Sequence, residues 1–358
     1  MKATQKLHEL GQSLWLDNIT RAMLDSGQLQ RYIEDYSVTG LTSNPSIFDK
    51  AINTGDYDEA IRAKAADGLR GEDLFFELAI EDLRRAADLL RPVHDRTDGV
   101  DGWVSLEVSP ELAYDTESTV TAARELHERA DRPNVFIKIP GTPEGLPAIE
   151  ESIAAGVPVN VTLLFSAEQY VAAAQAYQRG VQRRIDAGQN PAVASVASVF
   201  MSRWDVAVND RVPAELKDRL AVAVGQGIYR AYRELMDSDT SQRLANSGGR
   251  VQRLLWASTS TKDPSAPDTL YVHSLAAPFT VNTMPDNTLE AFFDHGEVTG
   301  SLPADGGDGD ATLAAVADAG VDVDAVAAKL QSDGAAAFVA SWGELMGRIE
   351  SQSAVLQA

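Results

Sequence analysis

The sequence runs to 358 residues, 44% hydrophobic and 23% charged, with 31 basic against 53 acidic residues and a formal charge of −22. That composition belongs to a folded chain, and so acidic a surface repels nucleic-acid backbones and anionic membranes. The absence of cysteine excludes disulfides, thiolate zinc sites and cysteine nucleophiles, and it is compatible with a reducing cytoplasm.

The first residues, MKATQKLHELGQSLWLDNITR, hold no uninterrupted apolar segment, and nowhere is there a run of about 18 apolar residues. The expectation is a cytoplasmic protein without a membrane or nucleic-acid partner. Eight short apolar runs then follow in chain order: 13–17, 38–43, 102–108, 135–140, 157–165, 194–201, 253–259 and 279–285. Amphipathic stretches separate them, notably 73–90, 167–188 and 216–236. Strand–helix alternation repeated eight times predicts a single (β/α)8 TIM-type barrel with extra helices at the termini. The rival is a doubly wound open sheet, against which stands the lack of a GxGxxG after the first strand. The predicted organisation is one domain over 1–358. Its barrel extends to about 303, followed by a Gly/Asp-rich loop at 304–310 and two or three short helices over 311–358.

In such barrels, chemistry sits at the C-terminal ends of the strands. Those ends carry, in order, Asp17, Asn44, Glu107, Lys138, Asn160 with Thr162, Ser198 followed by Arg203, and the polar run from Ser258 through Ser260 to Lys262. Each has an ordinary alternative reading. Asn44 before Pro45 is a natural helix cap, Thr162 a strand former, Glu107 a solvent-facing residue of an edge strand and Arg203 a surface arginine. Lys138 is the hardest to dismiss. It interrupts the buried run VFIKIP, and no Asp or Glu lies within five residues of it. An ammonium buried without a partner costs several kcal/mol or gives up its proton. His8, His94, His127, His273 and His295 show no metal-ligand spacing, so no metal site or cofactor is expected.

The motifs WLDNITR, GLTSNPSIF, SLEVSP, VFIKIPGTPEGLPAIE, VNVTLLFS and SVFMSRWD resemble the strand-end motifs of transaldolases, in the family's order, from about Trp15 to Phe292. LLWASTSTKDP and PFTVNTMPDNTLEAF are similar to the longer bacterial branch. The resemblance implies that Lys138 forms a Schiff base with a ketose and that Glu107 shuttles protons through a bound water positioned by Thr162. It further implies that Asp17 takes the C4 hydroxyl proton, and that Asn44 and Asn160 bind substrate hydroxyls. Arg203, five residues after Ser198, matches the family's phosphate arginine. A second arginine common after strand seven is replaced by Ser260, leaving Lys262, with Ser258 and Ser260, as its candidate substitute. The implied partners are phosphorylated sugars, with the chain a monomer or homodimer. The implied reaction carries a dihydroxyacetone unit from sedoheptulose 7-phosphate to glyceraldehyde 3-phosphate. The alternatives are cleavage like that of a fructose 6-phosphate aldolase, and an inactive barrel that serves as a binding protein.

Overall fold

In the computed structural model, which describes residues 1–357, the eight apolar runs form eight parallel strands closed into a barrel in sequence order. They are β1 (Ser13–Asp17), β2 (Val38–Thr42), β3 (Trp103–Glu107), β4 (Val135–Pro140), β5 (Val159–Leu164), β6 (Ser195–Phe200), β7 (Arg253–Ala257) and β8 (Val281–Met284). Six of the eight are buried at every position, as strands with a core on one face and helices on the other must be. The predicted barrel is therefore the observed one, and the open sheet is excluded.

Alternation along each strand divides the side chains between barrel interior and helical shell. Below the site the interior is filled by aromatic rings, with Trp103 stacked on Phe136 at 4.1 Å and Trp15 at 6.1 Å from the same ring. Gly40 faces Trp15 across the β1–β2 pair, and a Cβ there would lie 2.4 Å from the indole. Glycine at that point makes room for the largest side chain in the floor of the site.

The C-terminal region departs from the reading of two or three short helices. It forms a ten-residue helix, Gly309–Asp318, which begins inside the predicted loop, and one 35-residue helix, Val323–Gln357. Gly334, Gly343 and Gly347 all lie inside the continuous helix. That helix packs along helices Pro45–Ile52 and Asp58–Ala66 and passes over the end of β5. Its anchors include Ser46 to Ser341 at 2.9 Å, Arg348 to Asp49 at 2.5 Å and Gln352 to Asp58 at 2.6 Å. Ala358, the last residue of the predicted 311–358 segment, lies outside the described residues. No helix among the described residues is long and apolar enough to cross a membrane.

Candidate active site

Lys138 is 5% exposed, and its ammonium is not alone. Residue pairing places Glu107 of β3 directly beside it, and Lys138 Nζ donates to Glu107 Oε2 at 3.0 Å and to the Ser43 carbonyl at 3.1 Å. The missing counter-charge is thus 31 residues away in sequence and adjacent in the sheet. Glu107 is 5% exposed, which corrects the alternative of a solvent-facing edge residue. Burial pushes its carboxyl up from the ordinary range; the Lys138 charge and hydrogen bond oppose that shift, and Asp17 adds to it.

Asp17 ends β1 with its carboxyl enclosed beside Lys138. Burial pushes it up as well, against the pull of Lys138 and a 2.7 Å hydrogen bond from Thr42. Two carboxyls and one amine therefore meet in a low-dielectric barrel interior, where each charge state depends strongly on its neighbours.

Beside them runs a chain of neutral groups. Asn160 is fully buried, donates to Ser105 Oγ at 3.1 Å and accepts from Ser198 Oγ at 2.7 Å. Thr162 is buried too, and its hydroxyl has no protein partner, as is true of Glu107 Oε1. The next residue, Leu163, has φ of +60°, and the β5–β6 register slips there. A left-handed branched residue is strained, and here the strain falls where β5 turns its polar side chains to the site.

Asn44 caps helix Pro45–Ile52, its side chain accepting from the Ile47 amide at 3.2 Å. The cap and the candidate contact are compatible, because Asn44 also lines the cavity above Lys138. That cavity, about 110 Å³, is lined among others by Asp17, Lys138, Ser198, Arg203, Ser258 and Phe338. It adjoins an outer cavity of about 510 Å³, which shares Asp17, Asn44 and Ser258 and adds Ser260, Lys262 and Lys50. Lys262 is exposed and lies 3.4 Å from Ser260 Oγ, so the structure puts it on the outer rim, apart from the inner cavity of Arg203. Ser258, at φ +54°, shares a 2.9 Å hydroxyl contact with Ser202, which ties the ends of β6 and β7 together just before Arg203.

Arg203 is half-buried, makes no ion pair among the described residues, and has its guanidinium over the rings of Phe200 and Phe338 at 5.1 and 5.9 Å. Burial lowers its pKa with nothing to oppose it. An unneutralised cation in a cavity of a strongly acidic chain is an anion site in waiting. Among the neighbours that escaped the sequence reading are Ser105, Lys50 and Phe338. Ser105 shares an inward face with Glu107 two residues on and was legible by alternation; Phe338 comes from a region with no strand-end signal.

Size does not identify the site. A cavity of about 490 Å³ opens at the other end of the barrel, but its surface is mainly apolar and, although His8, Asp101, Arg250 and Arg253 also line it, it holds no lysine. Among the described residues, no cluster of three or more His, Asp or Glu could hold a metal ion.

Comparison with known proteins agrees with this geometry. The family described as Transaldolase/Fructose-6-phosphate aldolase matches residues 14–349. A transaldolase of Acidothermus cellulolyticus is 47% identical over 353 residues, covering 96% of this chain and 95% of the relative. One from Arthrobacter sp. (strain FB24) is 45% identical over 357 residues, with 97% and 96% covered. A "Transaldolase 2" of Nostoc sp. is 40% identical over 371 residues, with 98% and 97% covered.

Proposed function

The chain belongs to the transaldolase/fructose-6-phosphate aldolase family and has the transferase activity of a transaldolase, and we propose that Lys138 carries that activity as a Schiff base. The observation that supports this most is the 3.0 Å contact between Lys138 Nζ and a Glu107 carboxyl whose proton affinity burial has raised. Glu107 takes a proton from the ammonium, and the free amine attacks the ketose carbonyl carbon. The proton returns through a water held by Glu107 Oε1 and Thr162 Oγ1, both without a protein partner, as the carbinolamine expels its hydroxyl as water. Asp17 then takes the C4 hydroxyl proton. The C3–C4 bond breaks, the aldehyde leaves, and its electron pair stays on Lys138 as an enamine.

The transferred unit is dihydroxyacetone. Enamine attack on the aldehyde carbon of glyceraldehyde 3-phosphate re-forms the C3–C4 bond, with Asp17 returning the proton. Hydrolysis then releases fructose 6-phosphate, while erythrose 4-phosphate is the product of the first half from sedoheptulose 7-phosphate. Asn44 and Asn160 bind the hydroxyls of the three-carbon fragment, with Asn160 oriented by Ser105 and Ser198. Arg203 receives the phosphate, and Lys262 and Lys50, with Ser258 and Ser260, line the wider outer cavity along which a longer sugar extends. The chain works as one catalytic domain in the pentose phosphate pathway, in the cytoplasm.

Borohydride reduction in the presence of fructose 6-phosphate, followed by peptide mass analysis, tests the reading. The expected result is a three-carbon adduct on the peptide that contains Lys138. Folded protein that binds the sugar but yields no adduct there sinks the mechanism.

A further inference from the structure

We propose that Phe338, on the C-terminal helix, is the positioning residue that aims Arg203 at the substrate phosphate; this rests on the reading of Arg203 as the phosphate cation. The argument begins with what holds that guanidinium. No carboxylate among the described residues pairs with it, and its neighbours are the faces of two rings, Phe200 and Phe338, themselves 6.4 Å apart. A carboxylate would fix the arginine but neutralise it and repel phosphate. A ring face holds the cation through its quadrupole and leaves the in-plane N–H donors open to an anion. The same Phe338 ring lies 5.7 Å from Lys138 Nζ, so one side chain borders both the amine and the phosphate cation.

The helix is built to deliver that ring. Gln331 donates at 3.0 Å to both the Gly141 and the Leu163 carbonyls, which follow the strand ends that carry Lys138 and Thr162. One turn later, Gly334 lets the helix close on the site: a Cβ there would lie 3.2 Å from Arg203 Nη1 and 3.0 Å from Leu163. Residues 331, 334 and 338 share one helical face, directed at the barrel mouth. A region that looks like a terminal appendage in sequence thus supplies a wall of the site.

The test compares Phe338→Leu, which keeps apolar bulk and loses the ring, with Phe338→Tyr, which keeps the ring. Circular dichroism first establishes that both are folded. By calorimetry, the Leu variant is expected to bind inorganic phosphate about three- to tenfold more weakly than the parent, and the Tyr variant to stay within about twofold. In turnover, KM for fructose 6-phosphate rises in step in the Leu variant, while KM for unphosphorylated fructose does not. Unchanged phosphate affinity, equal loss in both variants, or a parallel rise in both KM values overturns the proposal. Failure of the reading of Arg203 shows up separately, as phosphate affinity that Arg203→Ala leaves at the parent's value, and a missing adduct on Lys138 reports on the Schiff base alone.

Discussion

Asp101 and Glu107 are six residues apart, one just before β3 and one at its end, and each is about 5% exposed. Asp101, at the N-terminal end of the barrel, is saturated: Trp15 Nε1 and the Gly102 amide donate to Oδ1 at 2.8 and 3.1 Å, and Ser13 donates to Oδ2. Arg253 completes that end by donating to Ser13 Oγ at 2.7 Å and the Thr280 carbonyl at 2.9 Å. Glu107 has one oxygen on Lys138 and the other unpaired, and the same end of the barrel holds an unpaired Thr162 hydroxyl and an arginine held only by rings. The N-terminal end also has orphans, Gln12 Oε1, Asn134 Oδ1 and Gln252 Oε1, but they are neutral amide oxygens, cheaper to leave unmade than a carboxylate's. The same strands therefore use buried polarity in two ways. Where the protein supplies all partners, polarity fixes structure; where it leaves donors and acceptors open, polarity is free to meet a ligand, as the proposed mechanism requires.

The largest test removes the amine. Lys138→Ala is expected to lower kcat by about 10⁴-fold or more and to abolish the borohydride adduct, with the circular dichroism spectrum retained. Activity within about tenfold of the parent would place the chemistry elsewhere in the barrel.

Next comes the proton relay. Glu107→Gln keeps an acceptor for Lys138 but cannot take its proton, and kcat should fall about 10²- to 10⁴-fold. Removing either buried carboxyl also changes how stability depends on pH. Burial raises the Glu107 and Asp17 carboxyls in the folded state, so the folded protein holds those protons longer than the unfolded chain does. The stability from this source is full below the unfolded carboxylate range near pH 4, and it is lost as pH rises through the higher folded values. Thermal unfolding across that range should show a shallower decline for Asp17→Asn than for the parent, although Asp17→Asn is the poorer enzyme. An unchanged slope would mean that the strain of burying charge is not concentrated at this end.

The barrel was legible because its cause is local. A strand buried on both faces is a short branched apolar run between helical patterns, and β1 and β4 carry the boundaries read from sequence alone. Strand-end placement likewise singled out Lys138, Asp17 and Arg203. What sequence concealed is non-local. Glu107 neutralises Lys138 across a strand pair, and a window of five residues around the lysine cannot see it. Phe338 reaches the site from beyond residue 330 because Gly334, without a side chain, permits a close approach. Glycine inside a helix costs about 1 kcal/mol relative to alanine, and here that cost is offset by packing on Leu163 and beside Arg203.

At the saturated end the expectation reverses. Asp101→Ala strands the Trp15 N–H and the Ser13 hydroxyl, while the Gly102 amide keeps the Thr39 carbonyl at 2.9 Å, and should cost about 3 kcal/mol by denaturant unfolding. Turnover of the remaining folded protein should stay within a few-fold of the parent. A large loss of kcat with unchanged stability would reverse the roles assigned to the two ends.

The smallest effect makes the sharpest contrast. Thr162→Val exchanges a buried hydroxyl for a methyl of nearly the same shape, at a position where the hydroxyl makes no protein hydrogen bond. Removing a buried polar atom whose partner belongs to the protein destabilises; removing one that has no such partner leaves stability level or slightly raised. The substitution should therefore keep or raise Tm while lowering kcat about tenfold, because the water that carries protons to and from Glu107 loses one of its two holders. A fall in Tm with unchanged kcat would make Thr162 a packing residue and remove it from the proposed proton path.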